Sequence, residues 1–135
     1  MAYWLMKSEP GTYGWNDLAR DGATDWDGVR NPAARLHLRA MKPGDEALFY
    51  HSGDERAVVG IMRVAGAAKP DGEDGAWVKV PVEPVRAIGP VTLKAIKADP
   101  RLAAMELIRQ SRLSVSPVRG EEWDILLAMA RASEG

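Results

Sequence analysis

The segment Met41-Lys42-Pro43-Gly44-Asp45-Glu46-Ala47-Leu48-Phe49-Tyr50-His51-Ser52 joins a turn to a strand. Lys42 to Asp45 predict the turn, because proline fixes one backbone angle and glycine tolerates a positive one. The run from Ala47 to Ser52 predicts the strand. Strand side chains alternate between two faces, so we expect two sets, Ala47, Phe49 and His51 on one face and Leu48, Tyr50 and Ser52 on the other. One face can join the core while the other borders a site.

The composition is that of an ordinary folded domain. The chain has 135 residues, of which 46% are hydrophobic and 27% are charged. This length supports one core and is too short for two ordinary domains, so we expect a single domain over residues 1–135. No apolar run approaches the roughly 20 residues of a membrane helix, and the N-terminal residues lack a signal-peptide pattern. We expect a monomer without a membrane partner, located in the cytoplasm, or in the nucleus if the source is a eukaryote.

The residues that usually hold metals are scarce. The chain contains no cysteine and two histidines, His37 and His51. A disulfide, a thiolate metal site and a cysteine nucleophile are therefore excluded, and no carboxylates accompany the histidines at ligand spacing. We predict neither a metal nor a cofactor.

The charge is balanced overall and uneven locally. A net charge of −1 argues against a protein that binds nucleic acid by bulk electrostatic attraction. Two segments nevertheless carry basic residues without acidic ones, Arg30, Arg35, Arg39 and Lys42 in the first and Arg109, Arg112 and Arg119 in the second. Such runs indicate either a solvated helix face or a local patch that contacts a few phosphates.

Seven of the nine aromatic residues lie in the first 50 positions, and tryptophan outnumbers phenylalanine five to one. An indole offers a stacking face and a hydrogen-bond donor, so this is an unusual composition for core filling alone. Trp4 and Trp123 stand in apolar runs and are expected in the core. Trp15 and Trp26 are candidate stacking faces. Trp26 lies in the polar segment 25–30, which predicts a loop, and we expect its truncation to leave thermal stability nearly unchanged.

Local patterns predict the remaining elements. Strands are expected at 3–7, 57–64, 77–85 and 113–116, and helices at 15–20, 32–41, 99–108 and 121–132. Asn31 is the expected N-cap of the second helix, and Thr92 caps a later turn. Gly60 indicates a bulge or a close backbone approach, and Pro81 and Pro84 place their strand at an edge or at a bulge. Ser114 and Ser116 should share one face of the last strand.

Six blocks of sequence resemble the EVE domain family, a branch of the PUA-like superfamily related to the YTH readers of methylated adenine. They follow the family's order and span nearly the whole chain, namely residues 3–10 (YWLMKSEP), 26–31 (WDGVRN), 41–45 (MKPGD), 49–52 (FYHS), 59–61 (VGI) and 112–115 (RLSV). The resemblance implies an α+β fold, with a PUA-like curved mixed sheet or pseudo-barrel surrounded by helices. It also implies binding rather than catalysis, with modified cytosines in DNA, 5-methylcytosine among them, as the expected ligands.

A flipped base needs an aromatic face, hydrogen-bond partners for its edge and room for the modification. Candidate ligand-binding residues are Lys7, Ser8, Trp15, Trp26, Arg30, Asn31, Tyr50, His51, Ser52 and Ser114, and candidate contacts to the nucleic-acid backbone are Arg35, Arg39, Lys42 and Arg112. Asn31 is equally expected to act only as a helix cap, and His51 only as a structural histidine. The chain departs from the family pattern at Gly14, Pro32, Ala33 and Leu36, where the family more often has serine, tyrosine, glutamine and asparagine, respectively.

Two other functions fit the same residues. A PUA-like module that binds tRNA or rRNA would use the same patches, because no motif identifies a contact to the 2′-hydroxyl of RNA. A small hydrolase would need Ser8 or Ser114 to meet His51 through the fold, since His51 and Ser52 should face opposite ways on their strand. No nucleophile elbow or phosphate-binding glycine loop is present, so we predict a protein that is not an enzyme.

Overall fold

The computed structural model describes residues 1–73 and 75–134. The strands in this part of the chain are β1 (Tyr3–Ser8), β2 (Thr24–Trp26), β3 (Glu46–His51), β4 (Ala57–Val64), β5 (Lys69–Pro70), β6 (Val78–Thr92) and β7 (Val115–Val118). The helices are α1 (Trp15–Asp21), α2 (Pro32–Ala40), α3 (Leu93–Ala98), α4 (Glu106–Arg109) and α5 (Gly120–Glu134), with a short 3-10 turn at Pro100–Leu102. None of the described helices combines the length and the apolar character of a membrane span.

The strands form one mixed sheet in the order β2-β6-β4-β3-β1-β7, with β5 paired to β6. β1 runs parallel to β3 and antiparallel to β7, and the other pairs are antiparallel. The sheet curls into a half-barrel with helices around it. The prediction of an α+β fold with a curved mixed sheet is confirmed.

Each face of the sheet carries its own hydrophobic core. Phe49 and Ala47 lie in a cluster that includes Leu18 of α1 and Leu38 of α2. Leu48 and Tyr50 lie in a second cluster with buried residues of the other helices, Ile96 of α3, Leu107 of α4 and Leu126 of α5. The alternation predicted for β3 is therefore confirmed, and this strand separates the two cores.

The turn before β3 is anchored by a buried carboxylate. Asp45 accepts hydrogen bonds from the indole of Trp4 at 3.0 Å, from the backbone N–H of Lys42 at 3.0 Å and from that of Ala2 at 3.1 Å. Burial by itself would raise the pKa of Asp45, but these hydrogen bonds outweigh it and the pKa is lowered. The turn therefore ties the beginning of β1 to the beginning of β3.

Gly60 meets a neighbouring ring, as its position in β4 predicted. The register between β3 and β4 shifts at Phe49/Tyr50, and that between β4 and β6 shifts at Val58/Gly60. A Cβ atom at Gly60 would lie 2.4 Å from the indole of Trp15, so only glycine leaves room for that ring.

Three local predictions need correction. The segment around Trp26 is strand β2, because residues 24–26 pair with β6. The prediction of an edge or a bulge at the prolines of β6 is confirmed in its second form, because β6 lies between β2 and β4 and the register slips beside Pro84, between Ile61 and Met62. The helix expected at 99–108 is split, since Met105 has extended backbone angles and is buried.

The third correction concerns the last strand, which begins at Val115 and not at Leu113. Leu113 still belongs to a turn, in which its N–H donates to the carbonyl of Gln110. Ser116 is buried opposite Leu5, so it does not share an exposed face with Ser114. Pro117 fits in this strand because β7 is the last in the sheet order.

Candidate nucleic-acid interface

A cavity of about 770 Å³, here called the aromatic cavity, opens where β1 and β2 end. Its walls come from the end of β1, the segment before α1, β2, the loop that leads to α2, and one residue before β7. The lining residues are Lys7, Ser8, Thr12, Tyr13, Thr24, Asp25, Trp26, Asp27, Gly28, Val29, Arg30, Asn31, Pro32 and Ser114. Six of the ten residues predicted to bind a ligand are among them: Lys7, Ser8, Trp26, Arg30, Asn31 and Ser114.

Trp26 is both a wall of this cavity and part of the core. Its side chain is 7% exposed, and its ring meets Phe49 edge to face at a centroid distance of 5.4 Å. Pairing of β2 with β6 fixes the indole over the core, so the structure predicts that truncation lowers stability, in contrast to the expectation from the sequence. Packing against Phe49 also holds the ring in a single orientation at the cavity wall.

The polar groups around Trp26 are held by the backbone. The hydroxyl of Ser8 donates to the carbonyl of Tyr13 at 2.6 Å. Asn31 caps α2, as predicted, because its side-chain oxygen accepts from the N–H groups of Ala33 at 2.9 Å and Ala34 at 3.0 Å. With the oxygen committed to the cap, the NH₂ group of Asn31 is the part of the side chain suited to donate to a ligand.

The hairpin between β5 and β6 is fastened to one wall of the aromatic cavity. Asp71 accepts hydrogen bonds at 3.0 Å from the N–H of Gly28 and from the guanidinium of Arg30. These two bonds lower the pKa of Asp71, so its carboxylate stays ionised well below neutral pH. The ring of Trp77 lies 5.5 Å from the guanidinium carbon of Arg30 and 4.9 Å from that of Arg35.

Arg35 is engaged with this hairpin and not with the cavity. Its guanidinium donates to the carbonyl of Ala76 at 2.7 Å and lies against Trp77. Arg39 and Lys42, the other cations of the predicted basic helix and turn, are exposed and line neither this cavity nor the next one. The structure thus separates these three residues from Arg112, with which they were grouped.

A second cavity, of about 740 Å³, adjoins the first and is here called the cationic cavity. Lys7 and Ser114 line both, so these two residues form the wall between them. The lining residues are Lys7, Tyr50, Ser52, Gly53, Arg56, Leu93, Lys97, Leu107, Ile108, Ser111, Arg112 and Ser114. Tyr50, Ser52 and Arg112 therefore belong to a different cavity from Trp26.

The wall between the cavities is a contact between distant parts of the chain. The N–H of Lys7 donates to the carbonyl of Ser114 at 2.9 Å, and its ammonium group donates to the carbonyl of Ser111 at 2.8 Å. The ammonium also lies 5.7 Å from the centre of the Tyr50 ring. Partial burial lowers the pKa of Lys7 from its ordinary value.

Two predicted ligand residues, Trp15 and His51, line neither cavity. The indole of Trp15 is buried against Gly60 and meets Phe49 edge to face. His51 accepts from the N–H of Trp15 at 3.0 Å through Nε2, and its Nδ1 lies 2.6 Å from a carboxylate oxygen of Glu55. This pattern requires a neutral ring with the proton on Nδ1, which is the structural histidine of the alternative interpretation.

The arrangement bears on the hydrolase alternative and on metals. His51 packs beside Phe49, whereas Ser52 lines the cationic cavity, so these neighbours face opposite sides of the sheet. Among residues 1–73 and 75–134, no three histidine or carboxylate side chains are grouped as a metal site requires.

Sequence reasoning missed several lining residues. Thr12, Tyr13, Thr24, Asp25 and Asp27 were overlooked because nothing marked the segment before α1 and strand β2 as neighbours. Arg56 and Lys97 were overlooked because they stand alone in the sequence, one in a hairpin turn and one on a short helix. The block RLSV, which contains Arg112 and Ser114, was the one available signal that the segment before β7 meets β1.

Comparison with known proteins places this chain among relatives of similar sequence and shape. The model of the EVE domain matches residues 2–129. Mouse thymocyte nuclear protein 1 is 35% identical over 164 aligned positions, which cover 94% of this chain and 73% of the mouse protein. An NMR structure of a Rhodopseudomonas palustris protein is 43% identical with a TM-score of 0.93, covering 100% of this chain and 97% of that one.

A third relative was solved with a ligand. The crystal structure of human THYN1 in complex with DNA containing 5-methylcytosine is 33% identical to this chain, with a TM-score of 0.90. The match covers 96% of this chain and 98% of the human one. The family match spans most of the sequence and agrees with the fold and with the six sequence blocks, so this chain belongs to the EVE domain family.

Proposed function

We propose that this EVE domain binds nucleic acid by holding a modified base, a modified cytosine in DNA such as 5-methylcytosine, in the aromatic cavity. The observation that carries the proposal is that cavity, with Trp26 and the polar side chains of Ser8, Asn31 and Ser114 among its walls. Its volume of about 770 Å³ lies in the range of small-ligand pockets. The complex of human THYN1 with DNA containing 5-methylcytosine supports the same ligand class.

The side chains divide the work of binding a base. Trp26 supplies the stacking face, and such stacking contributes about 1–3 kcal/mol per base, which offsets much of the cost of unstacking. Ser8, Asn31 and Ser114 supply hydrogen-bond partners for the base edge. Arg30 stands at the rim with its guanidinium already paired to Asp71, so it contributes a positioned cation and not a mobile one.

We further propose that the domain is a reader without catalytic activity and that residues 1–135 act as one monomeric domain. The absence of a serine hydrolase centre is supported because the two ring nitrogens of His51 contact the N–H of Trp15 and Glu55, while the hydroxyl of Ser8 donates to the carbonyl of Tyr13. Ser114 lines cavities that His51 does not line. The family match over residues 2–129 supports one domain. A place in the cytoplasm, or in the nucleus of a eukaryote, stays a prediction.

The test is a binding titration of short single-stranded and double-stranded oligonucleotides at one fixed salt concentration. Each oligonucleotide carries cytosine, 5-methylcytosine, 5-hydroxymethylcytosine, adenine or N6-methyladenine at one position, in DNA and in RNA versions. We expect the tightest binding to DNA with a modified cytosine. Equal affinity for every oligonucleotide would overturn the reader function, and a preference for unmodified RNA would favour the RNA-binding alternative.

A further inference from the structure

The cationic cavity differs from the rest of the surface in its charge. Its lining contains Lys7, Arg56, Lys97 and Arg112 and no acidic residue. Several basic side chains elsewhere form ion pairs, for example Arg63 with Glu83 and Arg101 with Asp99. None of the four cavity cations forms an ion pair with a carboxylate of the described residues. Like charges gathered around one concave space repel each other, so an anion in that space would relieve the repulsion.

The fold holds these cations from four separate elements. Arg56 has a backbone φ of 47°, a conformation that residues other than glycine rarely adopt. Its carbonyl accepts a hydrogen bond from the N–H of Leu93 at 2.8 Å. This bond joins the turn before β4 to the beginning of α3, which carries Lys97. Unusual backbone angles persist where the surrounding structure enforces them, often at functional sites.

Neutral donors complete the cavity. Ser52, Ser111, Ser114 and the hydroxyl of Tyr50 are available among the lining residues. Burial raises the pKa of Tyr50, while the charge of Arg56 opposes that rise, so the phenol stays protonated and able to donate. Within the described part of the chain, no residue is hydrogen-bonded to the Tyr50 hydroxyl. Guanidinium, ammonium and hydroxyl groups around one space match the oxygens of a phosphate.

The position of the cationic cavity beside the aromatic cavity indicates which phosphate it would bind. Lys7 and Ser114 form the wall between the two cavities, so a base in the aromatic cavity would have its own backbone beside that wall. We propose that the cationic cavity binds a phosphodiester of the same strand whose modified base occupies the aromatic cavity, with Arg56, Lys97 and Arg112 contacting its oxygens. This inference rests on the proposed function, because it takes the strand to enter through the aromatic cavity.

The experiment compares two double variants with equal changes of charge. Arg56→Gln with Lys97→Gln removes two cavity cations, and Arg86→Gln with Lys94→Gln removes two exposed cations that line neither cavity. Binding of a single-stranded DNA with one 5-methylcytosine, and of its unmodified counterpart, is titrated over a series of salt concentrations. We expect the cavity variant to bind both oligonucleotides about tenfold or more weakly. Its salt slope should fall by about 0.7 for each phosphate that the protein no longer neutralises, while the control changes little.

The two readouts separate this inference from the function on which it rests. The ratio of affinities for modified and unmodified DNA reports the aromatic cavity, and the salt slope reports the cationic one. If the native protein binds modified and unmodified DNA equally, and the cavity variant has a reduced salt slope, the reader function is overturned and the phosphate contact is kept. An unchanged slope, or an equal loss of affinity in the control variant, would overturn the phosphate contact and leave the reader intact.

A last arm identifies the source of the phosphate. Replacing the phosphodiesters that flank 5-methylcytosine by neutral methylphosphonates should weaken binding to the native protein. With this modified DNA, the native protein and the Arg56→Gln and Lys97→Gln variant should have nearly the same affinity. No effect of methylphosphonates, together with a rise in the melting temperature of the native protein but not of the variant in millimolar inorganic phosphate, would overturn the strand assignment. The cavity would then bind a free phosphate.

Discussion

The two cavities share a wall and little else. The aromatic cavity contains Trp26 and a balance of charge, since Asp25 and Asp27 accompany Lys7 and Arg30. Its acid Asp25 is itself neutralised by Lys69 at 3.0 Å and Lys79 at 3.8 Å. The cationic cavity has four basic residues and no acid. The proposed site for a base and the proposed site for a phosphate therefore lie side by side on a chain whose net charge is −1.

This difference explains why the net charge was a poor guide to the partner. A domain that reads one base needs only a few phosphate contacts, and these can be concentrated in one concave place. The cations of α2, which the sequence suggested as a binding face, are less suited to this role because Arg35 is partly buried and already contacts Trp77 and the carbonyl of Ala76.

Substitution of Trp26 should have the largest effect. Trp26→Ala removes the stacking face and should weaken binding of the modified base by roughly 5- to 150-fold, the equivalent of about 1–3 kcal/mol. Because the indole also packs on Phe49, the variant should lose about 3–5 kcal/mol of stability. Isothermal titration and chemical denaturation measure the two effects.

Trp26→Phe separates binding from folding, since it keeps most of the buried volume. We expect near-native stability with reduced selectivity for the modified base. Trp123→Phe is the matched control, because Trp123 is buried in the other core, stacked on Tyr3 at 4.3 Å. An unchanged ratio of modified to unmodified affinity in Trp26→Phe would argue that the ligand lies elsewhere.

Raising the pH should have the next largest effect, because it weakens the attraction of a phosphate to Lys7 in the shared wall. A phosphate is attracted to Lys7 only while its amine is protonated, and burial lowers the pKa of Lys7. The attraction is therefore complete at neutral pH and disappears as the pH rises through this lowered pKa, before an exposed lysine would lose its charge. We expect about a tenfold loss of affinity between pH 7 and the alkaline limit of folding.

Lys7→Arg provides the control for this pH dependence, since arginine stays charged throughout the range. The DNA should contain only adenine and cytosine, whose rings do not lose a proton at these pH values. A native protein and a Lys7→Arg variant with the same pH profile would exclude Lys7 as the titrating group.

The smallest effect should come from the hairpin that holds one wall of the aromatic cavity. Asp71→Asn weakens the contacts to Gly28 and Arg30. We expect the affinity for modified DNA to fall by about two- to tenfold, as for the loss of one ordinary hydrogen bond. The salt slope should stay unchanged, because the cationic cavity is not touched, and a change in slope would contradict the separation of the two cavities.

Local signals in the sequence were sufficient for much of the fold. The alternation along β3, the cap at Asn31 and the glycine at position 60 each depend on neighbours within a few residues or on one steric requirement, and each was predicted. The burial of Trp26 was not predicted, because it depends on the pairing of residues 24–26 with β6. No residue close to Trp26 in the sequence indicates that pairing.

The candidate site was predictable only in part for the same reason. Ser8, Trp26, Asn31 and Ser114 stood in blocks that resemble a family, and the fold brings them to one cavity. Arg56 and Lys97 had no such mark, and their common position follows from the bond between the turn before β4 and α3. Trp15, the other candidate stacking face, stood in no such block, and its indole fills the space over Gly60 in the core.

The position of β1 between β3 and β7 has a consequence for the order of folding. β3, β4 and β6 lie within one segment of the chain and can pair early. The contact of β1 with β7 instead joins distant residues, as the 104 positions between Lys7 and Ser111 illustrate. The wall made by Lys7 and Ser114 exists only once that contact has closed. Ligand binding during refolding should therefore appear after most of the helical and hairpin structure has formed, when β7 pairs with β1.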